Sequence, residues 1–89
     1  MKTEWTVKYT EEAVSDLSRL DKSKRLRIVD KIDWMKHNFD LLRHERLTGE
    51  LSQFYKLRVG RYRVIYGIDP KGKVIVIYRV GHRREIYKL

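Results

Sequence analysis

A chain of 89 residues, 42% hydrophobic and 37% charged, has room for one small packed domain spanning residues 1–89 and is too apolar for a disordered tail. It has no cysteine, which removes disulfide frameworks and thiolate metal sites, and no apolar run near the roughly 20 residues of a membrane span. The net charge of +9 is lopsided: Arg46 to Leu89 holds eleven Lys and Arg against three acids, Met1 to Glu45 ten against nine. That split points to a polyanion, nucleic acid first, bound by the C-terminal half; a merely basic surface is the plain alternative.

Met1 to Trp5 shows no signal-peptide core, so the cytoplasm is the expected location, with no membrane partner. Trp5 to Tyr9 alternates like a strand. Thr10 is placed to cap a short helix, with Glu11 and Glu12 favoured by its dipole and Ala13, Leu17 and Leu20 as its apolar stripe. Asp21 caps a second helix, from about Lys22 to Asn38, whose stripe reads Leu26, Val29, Ile32 or Trp34, Met35 and Phe39. Asp40 to Ser52 has no period and reads as a connector, broken at Gly49.

Three strands follow, Phe54 to Val59, Tyr62 to Asp69 and Lys73 to Val80, then a tail from Gly81 to Leu89. Gly60-Arg61 is the glycine-first loop of a type II′ hairpin, which pairs Arg58 with Arg63. Pro70-Lys71-Gly72 suits a type I turn closed by a left-handed glycine, a register that sets Arg63 opposite Arg79. The order strand, helix, helix, three strands predicts an α+β fold with a helical hairpin on one face of an antiparallel meander. The covered face is expected to carry Tyr55, Leu57, Val59, Val64, Tyr66, Ile68, Val74, Val76 and Val80. The other face then carries Lys56, Arg58, Arg63 and Arg79, beside an apolar strip of Phe54, Ile65, Ile75 and Ile77 that calls for a partner or further cover.

Like charges stacked across a ladder repel, so a row of Arg58, Arg63 and Arg79 expects an anion. No Gly-rich phosphate loop is present, the three histidines have no zinc-ligand spacing, and the C-terminal half has only Glu50, Asp69 and Glu85 for a two-metal site. What the residues support is metal-free and cofactor-free RNA scission by the 2′-hydroxyl, which needs a base, cations at the phosphorane oxygens and an acid for the 5′ leaving oxygen. Arginine suits the middle task, and Lys56, crowded by arginines, is the base candidate. His82, Arg83, Arg84, Glu85 and Tyr87 in the tail offer acids or orienting groups. Against this, Lys56 and Arg58 also fit a solvated strand face, His82 a polar turn and Tyr87 an anchor on the core. Tyr55, Tyr62, Tyr66, Tyr78, Trp5 and Trp34 read as core aromatics.

The segments Tyr55-Lys56-Leu57-Arg58-Val59-Gly60-Arg61-Tyr62-Arg63-Val64-Ile65-Tyr66 and Val80-Gly81-His82-Arg83-Arg84-Glu85-Ile86-Tyr87 resemble the RelE/ParE toxins of toxin–antitoxin pairs, and the similarity runs over nearly the whole chain. The resemblance implies a RelE-type endoribonuclease that cuts mRNA in the decoding site of the ribosome and is silenced by a cognate antitoxin. It implies catalytic roles for Lys56, Arg58, Arg63, Arg83 and Tyr87, with His82 sharing acid or base work where the best-known member has a lysine. Arg61, Arg79 and Arg84 are assigned to substrate binding. Two readings stay beside it: a ParE-type inhibitor of DNA gyrase, and an inactive RNA-binding or antitoxin-binding module.

Overall fold

In a computed structural model, which describes residues 4–88, the chain runs β1 (Thr6–Tyr9), α1 (Glu11–Ser18), α2 (Lys22–His37), β2 (Glu45–Arg46), β3 (Tyr55–Val59), β4 (Tyr62–Asp69) and β5 (Val74–His82). Short 3-10 turns lie at Phe39–Leu41, Gly49–Leu51 and Ile86–Lys88. The N-terminal reading rests partly on residues 1–3, and the tail reading partly on Leu89; these lie outside the described residues. Among the described residues, no helix is long and apolar enough to cross a membrane.

Both helices start where their caps stand. The Thr10 side chain accepts from the Ala13 N–H and the Asp21 side chain from the Lys24 N–H, each satisfying a donor that the first helical turn leaves free. Glu11 and Glu12 follow the first cap, and Lys36 and His37 close α2, the charge signs the helix dipole favours at those ends. The buried stripe of α2 is Ile28, Ile32 and Met35. Leu26 and Trp34, expected inside, are 49% and 43% exposed. A 3.6-residue period places Ile28, Ile32 and Met35 on one side and turns Leu26 and Trp34 off it.

The sheet has five strands in the order β1-β5-β4-β3-β2, with β1 parallel to β5 and the other pairs antiparallel. β2, hidden in the expected connector, adds the fifth strand by pairing Glu45 with Lys56 and Arg46 with Tyr55. The β3–β4 hairpin has the expected register, Arg58 opposite Arg63, and Gly60 has a φ of 58° while Arg61 does not have positive φ.

The β4–β5 register departs from the expected one. Asp69 pairs with Val74, Lys73 rather than Gly72 takes the left-handed conformation, and a bulge between Ile65 and Tyr66 leaves Tyr78 without an opposite residue. Arg63 therefore faces Gly81 and Arg79 faces Ile65, so the three-arginine row does not form. The one-residue shift at the turn reverses the phase of β5 from Val74 to Ile77, and the bulge restores it at Val80. Ile75 and Ile77 enter the main core with Val64, Tyr66 and Val80, Val74 and Val76 leave it, and Tyr78 is 37% exposed.

One face of the sheet packs on both helices and includes Trp5, Ile28, Ile32, Met35 and Phe39 in its core, with Tyr55 and Tyr62 packed against them. On the other face Leu47, Ile65 and Ile86 form a small second cluster with Phe54 against it. The apolar strip predicted there thus takes part of its cover from the connector and the tail of the same chain.

Candidate active site

The second face brings four of the predicted residues into one neighbourhood. Lys56 and Arg58 alternate onto it from β3, and Arg63 joins them as the cross-strand partner of Arg58. Arg63 folds back over the hairpin, its Nη1 donating to the carbonyls of Gly60 at 2.9 Å and Tyr62 at 2.8 Å. Those bonds fix a guanidinium beside the turn, which suits it to a bound oxyanion.

The tail supplies the fourth member. A Cβ on Gly81 would meet Ile86 Cδ1 at 3.0 Å, a tight contact, so glycine at this position gives the tail room to fold closely onto β5. Ile86 is 4% exposed in the second cluster, and the next residue, Tyr87, sets its ring 5.8 Å from Lys56 Nζ. Tyr87 is 45% exposed, so its hydroxyl is not an anchor buried in the main core.

Sequence reasoning missed a carboxylate. Glu45 Oε2 lies 3.3 Å from Lys56 Nζ and 3.1 Å from Arg58 Nη2. The hydrogen bond from Lys56, then that from Arg58, hold the Glu45 carboxyl below the usual carboxylate range. The connector that carries Glu45 is pinned from inside. His44 Nε2 donates to the Phe39 carbonyl at 2.9 Å, which leaves Nδ1 to accept from the Tyr66 hydroxyl at 2.7 Å. The His44 ring also packs on Phe39 at 4.0 Å between centroids, and Trp5 Nε1 donates to Asp40 at 3.1 Å. A two-residue strand has no period to read; the sequence cue was only an acid set between His44 and Arg46.

The remaining predicted residues separate. Arg83 donates its backbone N–H to the Arg61 carbonyl at 2.8 Å, extending the β4–β5 ladder, and Arg61, Arg83 and Arg84 are all exposed near the hairpin end. His82 lies opposite Tyr62, on the helix-covered side, with the two rings edge to face at 5.7 Å. It is not gathered with Lys56 and Tyr87. Arg79 is removed from the anion site altogether. Its Nε and Nη2 donate to Asp16 Oδ2 at 2.8 Å and Oδ1 at 3.0 Å, and Asp16 Oδ2 also accepts from the Val80 N–H at 2.9 Å. β1 stops pairing with β5 at Ile77, and Asp16 takes over as acceptor where the parallel ladder ends.

Comparison with known proteins decides the family. The profile of the family described as the ParE toxin of the type II toxin–antitoxin system parDE matches residues 7–87. Toxin RelG of Mycobacterium tuberculosis (strain ATCC 25618 / H37Rv) is 32% identical over 84 residues, 94% of this chain and 97% of that protein. The chain belongs to the RelE/ParE toxin family.

It is thus the toxin of a type II toxin–antitoxin system with a RelE-like α+β fold. The toxin–antitoxin complex RelBE2 from Mycobacterium tuberculosis superposes with a TM-score of 0.80 at 29% identity, covering 91% of this chain and 100% of the compared chain. The archaeal RelE–RelB complex from Pyrococcus horikoshii OT3 gives a TM-score of 0.70 at 29% identity, over 91% and 97%. In this toxin the sheet face with Lys56, Arg58, Arg63, Tyr87 and Glu45 is the candidate site.

Proposed function

We propose that this toxin is a ribosome-dependent endoribonuclease that cleaves mRNA in the cytoplasm by attack of the RNA 2′-hydroxyl, without a metal ion, and that a cognate antitoxin inhibits it. The observation that carries this reading is the convergence of two arginines, a lysine and a half-exposed tyrosine on one sheet face. Arg58 and Arg63 would hold the phosphate and stabilise the phosphorane, with Arg83 joining from the hairpin end. Tyr87 would protonate the 5′ leaving oxygen. The antitoxin reading is supported by the two similar structures, both of which are toxin–antitoxin complexes.

The base is Lys56 or Glu45. The Glu45 carboxylate holds the Lys56 ammonium at 3.3 Å, so Lys56 serves as a base only after leaving Glu45. Glu45, its carboxyl already held low, needs no such release. The pH profile tests the second choice: a Glu45 base leaves cutting flat across the neutral range, and a rate that rises through neutrality points away from Glu45.

The test is primer extension on programmed ribosomes. Codon-phased cuts are expected, and Arg63→Ala should lower their rate by about 10²–10³, the usual cost of one oxyanion-stabilising donor. Absence of cuts together with stabilised gyrase–DNA cleavage complexes would move the chain to the ParE branch, as the family profile's own description suggests. Absence of both, with tight salt-sensitive RNA binding, would make it an inert module.

A further inference from the structure

Behind the β3–β4 hairpin, on the side away from Lys56 and Tyr87, α2 and the hairpin turn enclose a cleft of ≈ 440 Å³. Lys24 and Arg27 reach it from α2, Arg61 from the turn, and Tyr62 and His82 from the sheet, with no acidic side chain among its lining residues. Arg27 lies flat against the turn: its Nη2 is 3.2 Å from where a Gly60 Cβ would stand. Gly60 therefore serves the cleft as well as the turn, since any side chain would push the guanidinium away. The neighbouring acids do little to neutralise this group. Asp21 meets only Lys24, at 3.8 Å and with both side chains more than half exposed, and Asp30 makes no ion pair with Arg27 among the described residues.

His82 adds a directed donor. Its Nδ1 accepts from the Arg84 N–H at 3.2 Å, which leaves the proton of the neutral ring on Nε2. Positive groups converge here from three elements with only the exposed Asp21 carboxylate beside Lys24 to offset them, and they repel one another unless an anion joins them.

The cleft is continuous with the proposed cleavage face. β2 covers β3 only at Tyr55 and Lys56, so the stretch from Leu57 to Val59 is an open edge. Arg27 and Gly60 also border a shallower groove along that edge, where they meet Arg58, Lys31 and the half-exposed Trp34, with Asp30 the one acid of its lining. Lys31 Nζ sits 3.9 Å from the Trp34 ring centroid. An aromatic face beside a row of bases is how single-stranded nucleic acid is tracked without sequence readout.

We propose that the cleft between α2 and the β3–β4 hairpin is a second phosphate-binding site, which holds RNA beyond the cleavage position. It rests on the reading of the chain as an RNA-directed toxin. The phosphates can come from the substrate strand itself or from folded RNA of the ribosome, and the two sources respond differently to one set of variants.

The probes are uncleavable 2′-O-methyl RNAs of about four and about twelve nucleotides, titrated across a salt series, and intact ribosomes in a sedimentation assay. Lys24→Gln combined with Arg27→Gln should weaken the longer RNA about tenfold and flatten its salt slope by roughly 1.4, leaving the shorter RNA unchanged. That outcome assigns the site to the substrate strand. An unchanged longer RNA with ribosome binding reduced several-fold assigns it to folded RNA. Equal weakening of both lengths, or no change in any RNA or ribosome assay, overturns the proposal. So does a loss confined to antitoxin binding, which would make the cleft a protein site.

Should the double variant lose its fold, Lys24→Glu at an exposed position gives the same readout. Cutting of programmed ribosomes by the unaltered chain is scored separately. A chain that does not cut but shows the length-dependent loss keeps the site and refutes the nuclease; one that cuts and shows neither that loss nor weaker ribosome binding does the reverse.

Discussion

Asp16 and Glu45 each bring a carboxylate to basic side chains of the sheet, Asp16 from α1 to Arg79 and Glu45 from β2 to Lys56 and Arg58. Their surroundings differ. The Asp16 side chain is 9% exposed and spends both oxygens on Arg79 and the Val80 N–H, whereas Glu45 is 47% exposed and offers one oxygen to two cations. A closed, bidentate pair that also satisfies a backbone donor holds structure together. An open pair that water can reach contributes little to stability and leaves its cations able to exchange the carboxylate for another anion. The difference leaves Arg79 in a closed, structural pair while Lys56 and Arg58, two strands away, share a carboxylate that water can reach.

The sharpest way to break this contrast is Asp16→Ala. It leaves the Arg79 guanidinium and the Val80 N–H without their acceptor, which should cost about 2–3 kcal/mol, or roughly 10–20 °C in melting temperature. Urea or thermal unfolding measures it. A loss no larger than that of an exposed control such as Asp33→Ala would mean that Asp16 is as dispensable as a surface charge.

Acid titration sharpens the same point. Burial works against the ionised Asp16, but the bonds from Arg79 and Val80 outweigh it and hold its carboxyl below the usual range. The native value is depressed, so the unfolded chain takes up the proton first as pH falls. The stability from this pair is complete above the unfolded value of about 3.9 and disappears as pH drops through the lower native value. The difference in unfolding free energy between the parent and Asp16→Asn should therefore be constant near neutrality and shrink below about pH 4.

The parts legible in the sequence were those encoded within a few residues. Gly60-Arg61 dictated the hairpin, and with it the Arg58–Arg63 pair; Thr10 and Asp21 announced both helix starts. What stayed hidden depends on contacts distant in the chain. The bulge at Tyr78 has no local signature, since it arises from the way β5 must pair with β1 on one side and β4 on the other. Missing the shift at the turn exchanged Ile75 and Ile77 for Val74 and Val76 in the core, and missing the bulge as well set Arg79 opposite Arg63 instead of Ile65. Glu45 escaped because its partners lie 11 and 13 residues onward, and His44 and Phe39, rather than any period, hold its strand in place. His82 looked like part of the tail, but β5 runs through it and turns it to the helix side.

The smallest expected effect, on stability, tests the open pair. Glu45→Gln keeps the shape of the side chain and removes its charge, and at an exposed site the unfolding midpoint should stay essentially where it is. RNA binding should move the other way from most substitutions at a site. With the carboxylate gone, Lys56 and Arg58 no longer share an anion that competes with phosphate, so an uncleavable RNA should bind several-fold more tightly, most visibly at low salt. If Glu45 is also the base, cutting falls while binding tightens, a split that a purely electrostatic brake does not produce. Weaker RNA binding in Glu45→Gln would show instead that the carboxylate organises Lys56 and Arg58 for the phosphate, and the two acids of the sheet would then play the same structural part.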